Sequence, residues 1–429
     1  MKSDIREKII LAPMVRGSEL AFRNLIRRQG RIQTACYSPM LRADLVVQAF
    51  EVWYDAPQDK DMQSILSQIK HEDGCLLLQD VMVDSEPLVV QLCGHQPDIL
   101  HRACTILLQL NRPPHQCQIV GIDLNLGCPQ NCASLGNYGA FLADNDPDLA
   151  VHCVAAMRRA FDNTQQQMTK EDPTSLPMLT HGKPQLSCKI RLRDTVDDTV
   201  QFAKALQNAG CDLLSVHCRR REVKHEGLPD YDAGAALVAQ LHTPIIINGN
   251  VTKLDEARNV LTKTRAHAIM VARGFLRNPM MLVSDEPSPA ESMLAAASST
   301  HPLFMAAAYL DHCELNPPPS PLYISKHLRW IFRDELQPKN KYDSESYKDW
   351  KVRLWTFLVR PYLETIYQFR QILVLYAGET FKKDPSIELP SSLNGVPVAT
   401  FHDIRYKVMS YNEDEALEEA GGFALGLFD

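Results

Sequence analysis

Eight short runs of β-branched and aliphatic residues recur along the first two thirds of the chain. They are IILAPM (9–14), ACYSPML (35–41), LVVQLCG (88–94), VGIDLNLG (120–127), LSCKIRL (186–192), LLSVHC (213–218), PIIINGN (244–250) and AIMVARG (268–274). Their apolar character reads as continuous rather than alternating, which predicts strands covered on both faces in a parallel sheet. Between them lie stretches with apolar residues at helical spacing, among them 18–30, 199–210 and 253–262. Eight strand-plus-helix repeats in roughly 280 residues predict an α/β fold, a TIM (β/α)8 barrel rather than an open doubly wound sheet. In nearly every run the chemistry comes last: Pro13 and Met14, Gln91, Asn125, Lys189, His217, Asn248 and Asn250, Arg273. Those are strand C-terminal ends, where barrel active sites lie.

The rhythm predicts a barrel domain over 1–282, interrupted by polar insertions at 51–75 and 164–185. Residues 283–320 read as a linker, 321–412 as a helical C-terminal domain and 413–429 as an acidic tail. The helical expectation rests on 324–336 and 349–373, where apolar residues recur at spacings of three and four.

The 429 residues, 45% hydrophobic and 23% charged, can bury a large core. No apolar run approaches the roughly 20 residues that span a bilayer. The opening MKSDIREKIILAPM also lacks the long apolar segment of a secretory leader. The expectation is a monomer without a membrane partner, in the cytoplasm and also compatible with the nucleus. The twelve cysteines fall mostly in strand-like runs, as Cys93, Cys188 and Cys211 do, and read as reduced thiols. Cys128 and Cys132 lack further partners at ligand spacing, so no metal is expected. The net charge of −7 argues mildly against a nucleic-acid partner, although a local basic patch decides that question.

Two adjacent turns, Asn-Gly-Asn (248–250) and Ala-Arg-Gly (272–274), close the seventh and eighth runs and suit a phosphate-bearing cofactor. Gln91, Lys189 and His217 converge on the barrel axis, where a lysine without a partner is costly. A flavin accounts for all three, with the lysine stabilising the anion formed on reduction; the alternative is a structural ion pair between Lys189 and Asp123. Cys128 follows the fourth run in a Gly-Cys-Pro turn, and an ordinary thiol, protonated at neutral pH, can act there as a general acid. Cys132 is expected to pack structurally.

At this point the motifs resemble those of the tRNA-dihydrouridine synthases. They are APMV (12–15) with SELAFR (18–23), YSPML (37–41), VQLCG (90–94), DLNLGCPQ (123–130) with YGAFL (138–142), KIR (189–191), VHCRRRE (216–222), NGN (248–250), and ARG with NP (272–279). The resemblance covers about residues 8–280, and its wording is similar to the eukaryotic subfamily acting at D-loop positions 16 and 17. It implies FMN, reduced by NADPH or NADH, held by Pro13, Met14, Gln91, Lys189, His217, Asn248, Asn250, Ala272 and Gly274. It implies Cys128 as the proton donor and Asn125 as a residue that holds the target uracil. Two positions depart from the pattern: no lysine follows the Gly-Cys-Pro turn, and Cys218 stands where the family usually has glycine. The side chain of Cys218 is expected to narrow the approach to the flavin.

A tRNA partner requires a basic barrel mouth, and Arg219, Arg220, Arg221 and Lys224 meet that need, with Arg219 and Arg221 expected to bind substrate. Residues 326–370 carry ten Lys or Arg against six Asp or Glu. Trp330, Phe332, Tyr347 and Trp350 are interleaved there, either to stack on bases or to fill the domain core. Two other functions compete: a barrel flavoprotein acting on a free pyrimidine, and a non-catalytic RNA-binding module.

Overall fold

The computed structural model describes residues 5–27, 34–54, 78–110, 117–171, 183–224, 226–282, 301–337, 350–359, 363, 365–381 and 389–397. Its strands are β1 (Ile9–Leu11), β2 (Ala35–Tyr37), β3 (Leu41–Arg42), β4 (Leu88–Cys93), β5 (Ile119–Leu126), β6 (Gln185–Leu192), β7 (Leu213–Arg220), β8 (Ile245–Asn248) and β9 (Ala268–Val271). Every pairing is parallel, in the order β2-β1-β9-β8-β7-β6-β5-β4, and β2 also pairs with β4, so eight strands close into a barrel. The ninth, β3, adds two residues beside the C-terminal end of β4. The TIM-barrel expectation is met by this closure.

The strands are not uniformly apolar. Outward positions such as Leu124, Leu126, Cys188, Ile190 and Val216 are fully buried. Inward positions divide by height. Ala12, Tyr37, Ile246, Ala268 and Met270, with Ile10, Val89, Leu213 and Ala272, form an apolar plug. Towards the C-terminal end the inward positions turn polar: Gln91, Asp123, Asn125, Ser187, Ser215, His217 and Asn248 are all buried. DLN, SCKIR and SVHCR therefore alternate, correcting the reading of continuous apolar runs. The barrel covers its outer face with helices and lines its active end with groups that bond one another.

The helix expected at 199–210 spans Val196–Asn208, with Thr195 accepting the Asp198 N–H as its N-cap. That expected at 253–262 spans Leu254–Thr264, and 18–30 contains Leu20–Arg27. The first expected insertion begins inside helix Ala43–Tyr54, and its remainder, 55–75, lies outside the described residues. The second begins inside helix Pro147–Glu171 and ends on β6, with 172–182 outside the described residues.

The chain divides into two compact units, residues 1–20 with 34–272, and residues 21–33 with 273–429. The helical unit thus takes the helix from the first barrel loop, and the boundary falls at 272 rather than 282. The expected linker contains helix Pro302–Leu315, which buries Leu303, Ala306, Ala307, Tyr309, Leu310 and Cys313. Small residues hid this element, because alanines carry little hydrophobic pattern yet let helices pack closely. The periodicity at 324–336 resolves into Pro321–Ile331 and Arg333–Leu336, and that at 349–373 into Trp350–Val359 and Ile366–Thr380. His327 stacks on Phe22 with centroids 4.1 Å apart and meets Tyr309 at 4.4 Å, tying three helices together. The tail at 413–429 lies outside the described residues. Among those described, no helix is long and apolar enough to cross a membrane.

Helix Ile366–Thr380 opens with a capping box in which Thr365 accepts the Gln368 N–H and Gln368 accepts the Thr365 N–H. Thr365→Ala should lower the stability of the helical unit by about 1 kcal/mol. Three of the four tryptophans, Trp330, Trp350 and Trp355, belong to that unit. Tryptophan fluorescence during urea denaturation reads the change.

Candidate active site

The parallel register stacks polar residues in rows across β4 to β8: Gln91 beside Asp123 beside Ser187, Asn125 beside Lys189 beside Ser215, and Arg191 beside His217 beside Asn248. The fully buried Asp123 accepts from Gln91 Nε2 at 2.8 Å and from Ser187 Oγ at 2.7 Å. Burial raises its pKa to about 6, with the two hydrogen bonds and the Lys189 charge pulling the other way. Lys189 is pushed down to about 8, first by burial and then by Arg191, against the attraction of Asp123, Cys128 and Cys218. No salt bridge within 4.0 Å joins Lys189 to Asp123, whose carboxylate is held by neutral donors instead. The structural ion pair considered from the sequence is therefore not formed.

The Gly-Cys-Pro turn is fixed from three sides. Asn125 Oδ1 accepts the N–H groups of Gly127 at 3.1 Å and Cys128 at 3.0 Å. Asn125 Nδ2 donates to Gln91 Oε1 at 3.0 Å and to Met40 Sδ at 3.3 Å. Asn125 thus orients Cys128, a role beyond the expected contact with a uracil. Arg191 donates from Nε to the Gly127 carbonyl at 2.8 Å and from NH1 to the carbonyls of Arg220 and Lys224, at 3.1 Å and 2.7 Å. This joins the β5 turn to the loop after β7. Beneath the turn Ala140 N–H reaches the Cys128 carbonyl at 3.0 Å. Gly139 has φ +67, and a Cβ there would lie 2.7 Å from that same oxygen, so YGAFL needs its glycine.

The Cys128 thiol is held well above its ordinary pKa, first by a hydrogen bond with Cys132 and then by burial, so it carries its proton at neutral pH. Cys132 is exposed. The expectation that it packs structurally is thus corrected: the short helix Asn131–Leu135 turns its second residue outward.

Across the mouth, His217 Nε2 meets Arg219 NH1 at 3.1 Å. A guanidinium only donates, so Nε2 accepts and the neutral ring carries its proton on Nδ1. Arg219 is buried and gives Nε and NH2 to the Gly227 carbonyl, at 3.2 Å and 2.8 Å, so it orients His217 from within the loop. Arg221 pairs with Asp144 at 3.1 Å and Glu222 at 3.2 Å, and lies 4.8 Å over the Phe141 ring. Neither guanidinium stands unengaged at the mouth as the sequence reading expected, whereas Arg220 and Lys224 are exposed. Cys218 is buried on the outer side, its sulfur 3.0 Å from where a Cβ on Gly234 would sit. It therefore does not narrow the mouth.

Asn248 donates to the Met270 carbonyl at 2.8 Å. Gly249, at φ +145, passes so close that a Cβ would sit 3.0 Å from Pro229 and 3.6 Å from the His217 ring, while Asn250 is exposed. Met14 closes a tight turn with Ser18, its N–H reaching Oγ at 3.0 Å, and Pro13 precedes it half-buried. Ala272 follows β9, and Gly274 begins in the helical unit, within helix Arg273–Arg277. The barrel thus brings Gln91, Asn125, Cys128, Lys189, His217 and Asn248 to one end. The sequence reading missed the supporting Ser187 and Arg191, which the alternation in SCKIR could have revealed.

A closed parallel barrel with a protonated thiol, a half-buried lysine and glycine turns at its C-terminal end defines a TIM-barrel protein whose candidate site lies where barrels carry their chemistry. The chain belongs to the dihydrouridine synthase family, whose pattern matches residues 10–347. It is 30% identical over 330 residues to a mouse protein named tRNA-dihydrouridine(16/17) synthase [NAD(P)(+)]-like, covering 76% of this chain and 56% of that one. The rat counterpart gives 30% identity over 330 residues, with 76% and 60% covered. The Saccharomyces cerevisiae tRNA-dihydrouridine(16/17) synthase gives 31% over 274 residues, with 63% and 53% covered. The chain therefore spans just over half the length of these relatives.

Because Asp123 keeps its proton to about pH 6 when folded, against an ordinary value of 3.8, the folded state binds more protons than the unfolded chain between these values. Its contribution should make the barrel less stable as pH rises from about 4 to about 6, by on the order of 3 kcal/mol, and level above. Urea denaturation of the parent and Asp123→Asn across that range should show the slope in the parent and its loss in the variant.

Proposed function

We propose that this protein reduces uridine in tRNA to 5,6-dihydrouridine, at D-loop positions 16 and 17, with FMN as resident cofactor and NADPH or NADH as hydride source. The observation that carries the reading is the protonated Cys128 thiol, fixed by Asn125 and Arg191 at the barrel end that also holds Lys189, which makes no ion pair among the described residues. The names of the curated relatives support the substrate, the positions and the nicotinamide.

The donor set fits FMN. Lys189 offers a half-buried ammonium, and among the described residues no carboxylate forms an ion pair with it. His217, held by Arg219, faces the same end, and the Gly249 turn offers backbone that a side chain would obstruct. Pro13, Met14, Gln91, Lys189, His217, Asn248, Asn250, Ala272 and Gly274 would hold the cofactor. When bound, FMN supplies hydride for C6 of the uracil. Cys128 gives its proton to C5, and Asn125, through the Gly127 and Cys128 N–H groups, keeps the thiol at its station. Lys189 lowers the cost of negative charge near the flavin pyrimidine. The target base must leave its stack to reach this depth, and the exposed Arg220 and Lys224 offer the first cations to the RNA backbone. Under this reading the protein works as a monomer in the cytoplasm and nucleus.

Rapid mixing separates the half-reactions. Cys128→Ala should bind FMN and be reduced by NADPH nearly as the parent is, while reoxidation by tRNA falls roughly 10²–10⁴-fold, the usual worth of a positioned general acid. Unchanged reoxidation would remove Cys128 from the chemistry. Lys189→Met should weaken FMN affinity or slow its reduction; a variant that binds and is reduced like the parent would leave Lys189 a packing role.

A further inference from the structure

Asp123 lies on β5 with no exposed surface, and at that depth packing alone would favour an apolar side chain. It stands level with Gln91 on β4 and Ser187 on β6, and both donate to it, Gln91 Nε2 to Oδ2 at 2.8 Å and Ser187 Oγ to Oδ1 at 2.7 Å. The buried amides of Gln91 and Asn125 then join, Asn125 Nδ2 donating to Gln91 Oε1 at 3.0 Å and to Met40 Sδ at 3.3 Å. Asn125 Oδ1 takes the N–H groups of Gly127 at 3.1 Å and Cys128 at 3.0 Å. An amide keeps nearly the same shape after half a rotation, so its partners alone decide which end faces which neighbour. Here a carboxylate that only accepts stands at one end of the series, and two backbone N–H groups that only donate stand at the other. Between them the two amides fit in a single polarity.

We propose, resting on the reading of Cys128 as the proton donor, that Asp123 is a positioning residue for that thiol. It acts through Gln91 and Asn125, fixing the polarity of their amides so that Asn125 keeps its oxygen on the Gly-Cys-Pro turn. Without the carboxylate, Gln91 Nε2 loses its acceptor on β5 and nothing there holds Gln91 in this rotation. Once Gln91 turns, its nitrogen faces Asn125 Nδ2, and the Asn125 oxygen is drawn away from the Gly127 and Cys128 N–H groups to meet it. The turn that carries the thiol then loses two of its bonds.

Hydrogen exchange on the FMN-loaded chain, read by mass spectrometry, tests this without relying on turnover. Asp123→Ala should speed exchange at the Gly127 and Cys128 amides by roughly 10-fold, the worth of one hydrogen bond, while peptides from β7 and β8 exchange as in the parent. Asp123→Asn keeps an oxygen for Gln91 and can give its NH2 group to Ser187 Oγ, so it should restore most of the protection. Gln91→Met cuts the series one bond nearer the turn; it should reproduce the local loss, and it decides the matter if Asp123→Ala does not fold. In rapid mixing, reoxidation by tRNA should fall roughly 10-fold in Asp123→Ala, and this loss should vanish in an Asn125→Ala background, because Asp123 acts through Asn125. Unchanged exchange at the turn, exchange rising alike in every strand of a folded variant, or losses that add across the two positions would each overturn the proposal. Cys128→Ala with normal reoxidation would instead overturn the reading of Cys128 as proton donor and leave the exchange result standing.

Discussion

A closed parallel barrel with a polar upper interior must find a partner for every donor and acceptor it buries. An unmade bond there costs about 1–3 kcal/mol per group. In this chain one continuous series satisfies four of the buried polar side chains, Ser187, Asp123, Gln91 and Asn125. Ser187 and Gln91 donate to Asp123, Asn125 donates to Gln91, and the other end of Asn125 receives the N–H groups of Gly127 and Cys128. A carboxylate in the barrel wall thereby sets the orientation of a thiol at the barrel mouth. Each amide in the series has one rotation that fits, because reversing Gln91 would set an oxygen against the Asp123 carboxylate.

The same series decides the electrostatics. Neutral donors satisfy Asp123, leaving the Lys189 charge near it but uncancelled by direct contact. Arg191, two residues along β6, bonds three carbonyls and clamps two loops, and it also lowers the lysine's proton affinity. His217 receives its tautomer from Arg219, whose own position is set by the Gly227 carbonyl. The arginines that punctuate these strands therefore serve mainly as internal struts. The local basic excess counted in 326–370 shrinks for the same reason. Arg370 is buried against Asp311 and Glu314, both at 2.8 Å, and Arg333 lies 4.6 Å over Trp330. Phe332 belongs to the core and meets Tyr376 at 4.8 Å, while Trp330 and Trp350 are half-buried. Tyr347 lies outside the described residues.

The barrel, its eight strands and the end that carries chemistry were legible in the sequence. Local hydrophobic patterning marks buried strands, and parallel connection through helices forces all C-terminal ends to one side. The Gly-Cys-Pro turn, Lys189, His217 and the Asn-Gly-Asn turn could be picked out because residue type and position on a strand are both local properties. What local pattern does not contain is partnership. Whether Lys189 pairs with Asp123, whether Arg219 and Arg221 face solvent, and whether Cys132 packs or is exposed all depend on register between distant strands and on the folding back of 128–140. The alanine-rich helix Pro302–Leu315 was hidden for a related reason. Its burial comes from close approach by neighbouring helices, which only the assembled unit supplies.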